Sequence, residues 1–168
     1  MRRMTTIVLT VAVLMVALSG VAFATSEPIC RFVDTSGNDS IRGTAGDDVL
    51  EGRSGDDALD GMGGHDFLYG QYGHDGLYEG SGDDVIHGGK GDNRTEERAV
   101  HGGSGQDVLY GEGGADALYG GPGNDIVLST YDDAGDYVDC GGGADTVQKA
   151  GAPDLNLERF VNCVRFER

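Results

Sequence analysis

An all-β chain of short strands joined by tight turns is what this sequence predicts, and three observations predict it. A nine-residue phrase recurs in phase from Gly43 onward. Glycine and carboxylates crowd its first six places, and one aliphatic residue holds its eighth. A tail rich in large apolar residues follows where the phrases stop. Glycine tolerates the positive backbone angles of tight turns, Asp and Asn favour such turns, and one aliphatic side chain per short strand points inward.

The first element precedes the repeats. Arg2 and Arg3, an apolar run from about Ile7 to Leu18, and the triplet Ala22, Phe23, Ala24 predict a secretory signal peptide over residues 1–24, cleaved after Ala24. The apolar run is short for a bilayer crossing, so no membrane span is expected after cleavage. The mature chain is expected to be secreted, outside the cell or associated with its surface. Cleavage removes two arginines and no acids, taking the formal charge from −17 to −19. Cys30, Cys140 and Cys163 then meet an oxidising compartment, where three cysteines allow one pair and one leftover thiol.

The repeats come next. In frames of nine from Gly43, Asp48, Asp57, Asp66, Asp75 and Asp84 take the sixth place, and Leu50, Leu59, Leu68, Leu77 and Ile86 the eighth. Gly37 to Ile41 is a half-preserved first copy containing Asp39. Beyond Gly88 the phase breaks at RTEERAV, about five residues too many, with Asn93 in the aspartate's place and Val100 in the leucine's. It resumes with Asp107, Asp116 and Asp125, followed by Leu109, Leu118 and Val127. After a slip at Ser129 and Thr130, Asp136 with Val138 and Asp145 with Val147 read as two worn copies. A flexible linker would share this composition but would not keep one aliphatic residue in register over so many positions.

The charge narrows the function. With 29 acidic against 12 basic residues, the chain lacks the basic surface that phosphates require, so nucleic acid is excluded as a partner and cations are favoured. His65, His74, His87 and His101 show no metal-ligand spacing and read as loop or strand-edge surface. No nucleophile elbow or dinucleotide fingerprint is present. Tyr69, Tyr78, Tyr110 and Tyr119 stand at the ninth place, next to the inward residue, and should face outward over the strands.

The phrases resemble the RTX, or haemolysin-type, calcium-binding nonapeptide repeats, consensus GGxGxDxUx, over about residues 37–148. The resemblance implies a parallel β-roll, a right-handed β-solenoid in which two nonapeptides complete one coil. The roll would span residues 25–148, with residues 149–168 as a C-terminal cap. It also implies several Ca2+ ions shared between loops of adjacent coils: Asp39, Asp57, Asp75 and Asp116 on one side, Asp48, Asp66, Asp84, Asp107 and Asp125 on the other, and Asp145 from a worn copy. Asn93 departs from the pattern and removes a charge between Asp75 and Asp116. Calcium takes six to eight oxygens with loose geometry, which aspartates and loop carbonyls supply.

Similar exported repeat proteins carry a cysteine near such an end, which implies a Cys140–Cys163 bond. In the implied roll, Cys30 would lie about five coils, on the order of 25 Å at ~4.8 Å per coil, from Cys140. That is well beyond the ~7 Å a disulfide spans. Without metal, rows of stacked carboxylates repel, so the metal-free chain is expected to be largely unfolded and to fold on binding extracellular calcium. The expected function is that of a secreted, non-enzymatic calcium-binding protein, structural or adhesive at the cell surface, with a cell-surface or matrix component as partner. The alternative is a secreted toxin- or hydrolase-like protein that uses the roll as a folding module. The family usually exports through a C-terminal signal, from which the N-terminal signal peptide departs.

Overall fold

A computed structural model describes residues 30–33, 36–93, 95, 98–129, 134–149, 159–163 and 165–167. The expected signal peptide and the tail residues Leu155 and Leu157 lie outside them. The described residues form fifteen strands, numbered in chain order, and no helix. Odd strands make one parallel sheet: β1 (Cys30–Val33), β3 (Asp48–Ser54), β5 (Phe67–Tyr72), β7 (Val85–His87), β9 (Val108–Tyr110), β11 (Ile126–Ser129), β13 (Thr146–Lys149) and β15 (Arg165–Glu167). Even strands make the other: β2 (Ser40–Arg42), β4 (Ala58–Gly63), β6 (Gly76–Ser81), β8 (Val100–Ser104), β10 (Ala117–Tyr119), β12 (Tyr137–Asp139) and β14 (Arg159–Val161). The chain alternates between the sheets at every strand, which is a parallel β-solenoid with two nonapeptides per coil.

The eighth-place residues fix the register. Leu50, Leu68, Ile86, Leu109, Val127 and Val147 pair in succession along one sheet. Ile41, Leu59, Leu77, Val100, Leu118 and Val138 do so along the other. All twelve are buried and form a single core cluster. Each fully buried Leu contributes about 1.5–3 kcal/mol relative to an exposed one. One large side chain per half-coil makes this a thin core.

Glycine is required where coils touch. Gly73 has φ of 135°, and a Cβ there would lie 1.7 Å from the Gly55 carbonyl oxygen of the preceding coil. Any side chain would push those two coils apart.

Two residues of the insertion after Asn93, Thr95 and Arg98, pair as an antiparallel bridge. Thr95 and Arg98 exchange two backbone hydrogen bonds, and Arg98 Nη1 reaches back 2.8 Å to Asp56 Oδ2. Val100 then re-enters the core opposite Leu77, where the sequence places it.

At the start, β1 precedes the first copy recognised in the sequence and sets Phe32 in register with Leu50. At the end, β14 and β15 extend both sheets, with Phe160 in register with Val138 and packed against the core. Cys140 and Cys163 are disulfide-bonded, Cα atoms 5.1 Å apart. Cys30 opens β1 at the other end of the roll.

Candidate metal centre along the coil edges

The sixth-place aspartates stack in two rows, one along each edge where the chain passes between sheets. In each row the backbone N–H of one aspartate donates to the Oδ1 of its counterpart in the next coil. Asp48 donates to Asp66 at 2.8 Å, Asp66 to Asp84 at 2.8 Å, Asp84 to Asp107 at 3.1 Å, and Asp107 to Asp125 and Asp125 to Asp145 at 3.0 Å each. On the other edge Asp39 donates to Asp57 at 2.9 Å, Asp57 to Asp75 at 2.8 Å, Asp75 to Asn93 at 2.6 Å, Asn93 to Asp116 at 2.9 Å, and Asp116 to Asp136 at 3.0 Å. These are the two sides that the family resemblance implies, and Asp145, for which it implies no side, continues the row of Asp125. Asp136, absent from the expected ligand set, stands in the same geometry, twenty residues after Asp116 where the regular spacing is eighteen. All of these aspartates are buried except Asp39, which is half-buried.

The ladder uses one carboxylate oxygen. The other, Oδ2, is buried without a hydrogen-bond donor in Asp66, Asp75, Asp84, Asp107, Asp125 and Asp145. In Asp66, Asp75, Asp107 and Asp125 it faces a backbone carbonyl across a space kept open by the first-place glycine. A Cβ at Gly70 would lie 2.5 Å from both Asp75 Oδ2 and the Gly88 carbonyl oxygen, and one at Gly102 would lie 2.7 Å from both Asp107 Oδ2 and the Gly120 carbonyl oxygen. An anionic oxygen facing a carbonyl oxygen, buried and with no donor between, is destabilising unless a positive species enters. A hard cation that accepts several oxygens in loose geometry fits this set of donors.

The electrostatics agree. Burial pushes the carboxyls of Asp66 and Asp125 up to about 6 and that of Asp107 up to about 7, against the lowering effect of the ladder hydrogen bonds. Burial raises Asp75 and Asp84 as well.

Asn93 supplies an internal contrast. It keeps the ladder, accepting from Asp75 through Oδ1, but puts an amide nitrogen where an aspartate has Oδ2, and that nitrogen donates to the Gly88 carbonyl at 3.3 Å. The carbonyl thus receives a proton donor of the protein's own. Asn93 therefore preserves the fold at this coil while removing an anionic oxygen donor.

Fifth-place side chains form a second, more exposed ladder. The amides of Asp56, His65, His74 and Ala144 donate to Asn38, Asp47, Asp56 and Asn124 respectively. The His74 amide, with the Arg98 guanidinium, holds Asp56 below the usual carboxylate range. His65 and His74 are exposed in loops, as expected, and their Nδ1 atoms lie 2.9–3.1 Å from the backbone of Asp83 and Asp92.

His87 and His101 correct the surface reading. They lie on strands and stack between tyrosines, His87 at 5.0 Å from Tyr69 and 4.4 Å from Tyr110, His101 at 4.8 Å from Tyr78 and 4.7 Å from Tyr119. The ninth place is set by coil-to-coil register, which aligns Tyr and His in one file along each sheet. Ring faces within these stacks cover one another, so the tyrosines cover the sheets.

Glu79 is the residue the sequence reading missed. Glycine stands first in every frame between Gly43 and Leu128 except this one. Its side chain is wholly buried, with no donor to either carboxylate oxygen. Burial, with the charges of Asp84, Asp66 and Asp107, pushes it up to about 11. Its place in the frame was the signal that could have found it.

A parallel solenoid with carboxylates stacked along both edges and carbonyls facing them is the architecture of a calcium-binding repeat protein. A family model described as the RTX calcium-binding nonapeptide repeat matches four times, over residues 33–68, 52–82, 69–94 and 99–127, together more than half of the chain. The protein belongs to that family. No curated protein and no solved structure matches it.

Proposed function

We propose that this is an exported calcium-binding roll that folds when it meets calcium outside the cell, and that its role there is structural or adhesive rather than catalytic. The observation that carries the reading is the orphaned Oδ2 repeated coil after coil opposite a backbone carbonyl. Asp39, Asp48, Asp57, Asp66, Asp75, Asp84, Asp107, Asp116, Asp125, Asp136 and Asp145 are the carboxylates that would hold the ions, shared between adjacent coils. Calcium supplies the positive charge that lets the rows stack. Binding available only to the folded state then adds directly to folding stability, because a thin core offsets the chain entropy poorly alone. The signal peptide expected from the sequence supports export, and the net charge of −17 favours partners reached through calcium at an anionic surface.

The test is far-UV circular dichroism of the mature chain in chelator, in magnesium and in calcium. β structure should appear in millimolar calcium and not in magnesium, which demands a tighter octahedron. A spectrum fully folded in chelator at neutral pH overturns calcium-coupled folding. Calcium-dependent retention on cell-envelope fractions, released by chelator, tests the surface role.

A further inference from the structure

Where the other frames begin with a glycine whose missing side chain keeps a space open, the fifth frame begins with Glu79, and its side chain enters that space. Glu79 and Asp84 open and close one loop, and Asp66 is the counterpart of Asp84 one coil earlier. One carboxylate oxygen from each of Asp66, Glu79 and Asp84 lies within 4.8 Å of the other two. That separation is about twice the ~2.3–2.6 Å calcium–oxygen distance, so a single ion can touch all three. All three residues are buried, and no donor reaches either oxygen of Glu79. Two carboxylates cannot hydrogen-bond unless they share a proton, so the cluster is complete only with a proton or a cation inside it. The main-chain carbonyl of Glu79 also stays in the position its glycine counterparts use, facing Asp66 Oδ2.

We infer that Asp66, Glu79 and Asp84 hold a hard divalent cation through three carboxylates, making this coil the tightest calcium site of the roll and the first to fill. The inference rests on the calcium reading above and adds a ligand at a position the repeat reserves for glycine. The added charge is the reason for the order of filling: oxygen sites for calcium gain affinity with the number of carboxylates, and like charges this close gain most from a cation between them. The site lies near the middle of the roll, beside the insertion. Coils on both sides can add to a coil already closed there.

The experiment is a calcium titration of the full mature chain against a chromophoric chelator, resolving tight from weak equivalents, alongside circular dichroism. It compares wild type with Glu79→Gly, which restores the frame's usual residue, and Glu79→Gln, which keeps the volume and removes the charge. Wild type should show a tight class filled before the rest. Both variants should weaken that class by about tenfold or more, leave the weaker equivalents unchanged and still fold in excess calcium. Variants that match wild type at every equivalent overturn the inference. So do variants that bind calcium more tightly than wild type, which would make Glu79 a plug in its coil. A wild-type chain that takes up no calcium overturns the calcium reading itself, an outcome distinct from both.

Discussion

Replacing Asp107 by asparagine should stabilise the metal-free roll while weakening its response to calcium. Asp107 is wholly buried; its Oδ1 accepts from the Asp84 amide at 3.1 Å, and its Oδ2 has no donor. Asn93 shows what an amide does in this position: Oδ1 keeps the ladder, and the nitrogen donates to the carbonyl five residues earlier. In Asp107→Asn that carbonyl is Gly102's. Burial pushes the Asp107 carboxyl up to about 7 from 3.8, so keeping it ionised at pH 8 without metal costs up to about 4 kcal/mol. The general penalty for an orphaned buried acceptor, about 1–3 kcal/mol, sets the lower side. At about 1.4 kcal/mol per tenfold, the folded fraction in chelator should rise between roughly fivefold and several hundredfold. The assay is circular dichroism in chelator at pH 8, paired with calcium uptake per chain. Asp107→Asn should show more β structure without metal and less calcium bound at saturation, whereas Asp107→Ala, which also loses the ladder acceptor, should fold less well in both conditions. An asparagine variant with the wild-type spectrum in chelator and full calcium uptake would refute the reasoning.

Acidity should act in the same direction. Because the carboxyls of Asp66, Asp107 and Asp125 are raised in the fold, the metal-free roll binds protons more tightly than the unfolded chain; that stability is complete below about pH 4 and is lost as pH rises through about 6 to 7. Calcium-free β structure measured by circular dichroism should therefore be greater at pH 5 than at pH 8, and the calcium midpoint should fall between pH 6 and pH 8. Leu77→Ala removes a wholly buried side chain between Leu59 and Val100 and should cost about 2–5 kcal/mol, seen as a higher calcium midpoint. Reducing Cys140–Cys163, which closes a loop of 23 residues, should cost about 3 kcal/mol and expose the last coil to proteolysis before the rest.

The periodic features were legible because a period is a geometric statement. Sixth-place aspartate and eighth-place aliphatic positions recur every nine residues, which marks the turns and the inward residues from Leu50 through Val147, and the resemblance to the nonapeptide family then implies two copies per coil and alternate copies on opposite edges. What escaped was whatever breaks the period or arises between coils. The strand β1 has no glycine–aspartate loop before it, so nothing local marks it as half a coil. His87 and His101 gain their surroundings from residues 18 to 25 positions away, brought alongside by stacking. Asp136 lay beyond a two-residue slip, and Glu79 resembles simple wear of a glycine position until its burial shows where the side chain goes.

The asparagine at position 93 gives the roll two unlike seams. Along one edge the acids run unbroken from Asp48 to Asp145, so each junction there needs external charge to close. Along the other, Asn93 interrupts the row of acids: it keeps the ladder through Oδ1, carries no anionic oxygen, and its nitrogen donates within its own loop to the Gly88 carbonyl. As calcium falls, repulsion can build along the whole length of the first seam, while the second is divided into two shorter runs of acids on either side of Asn93. Loss of calcium would then act on one long row of like charges along the first edge and on two shorter rows along the second.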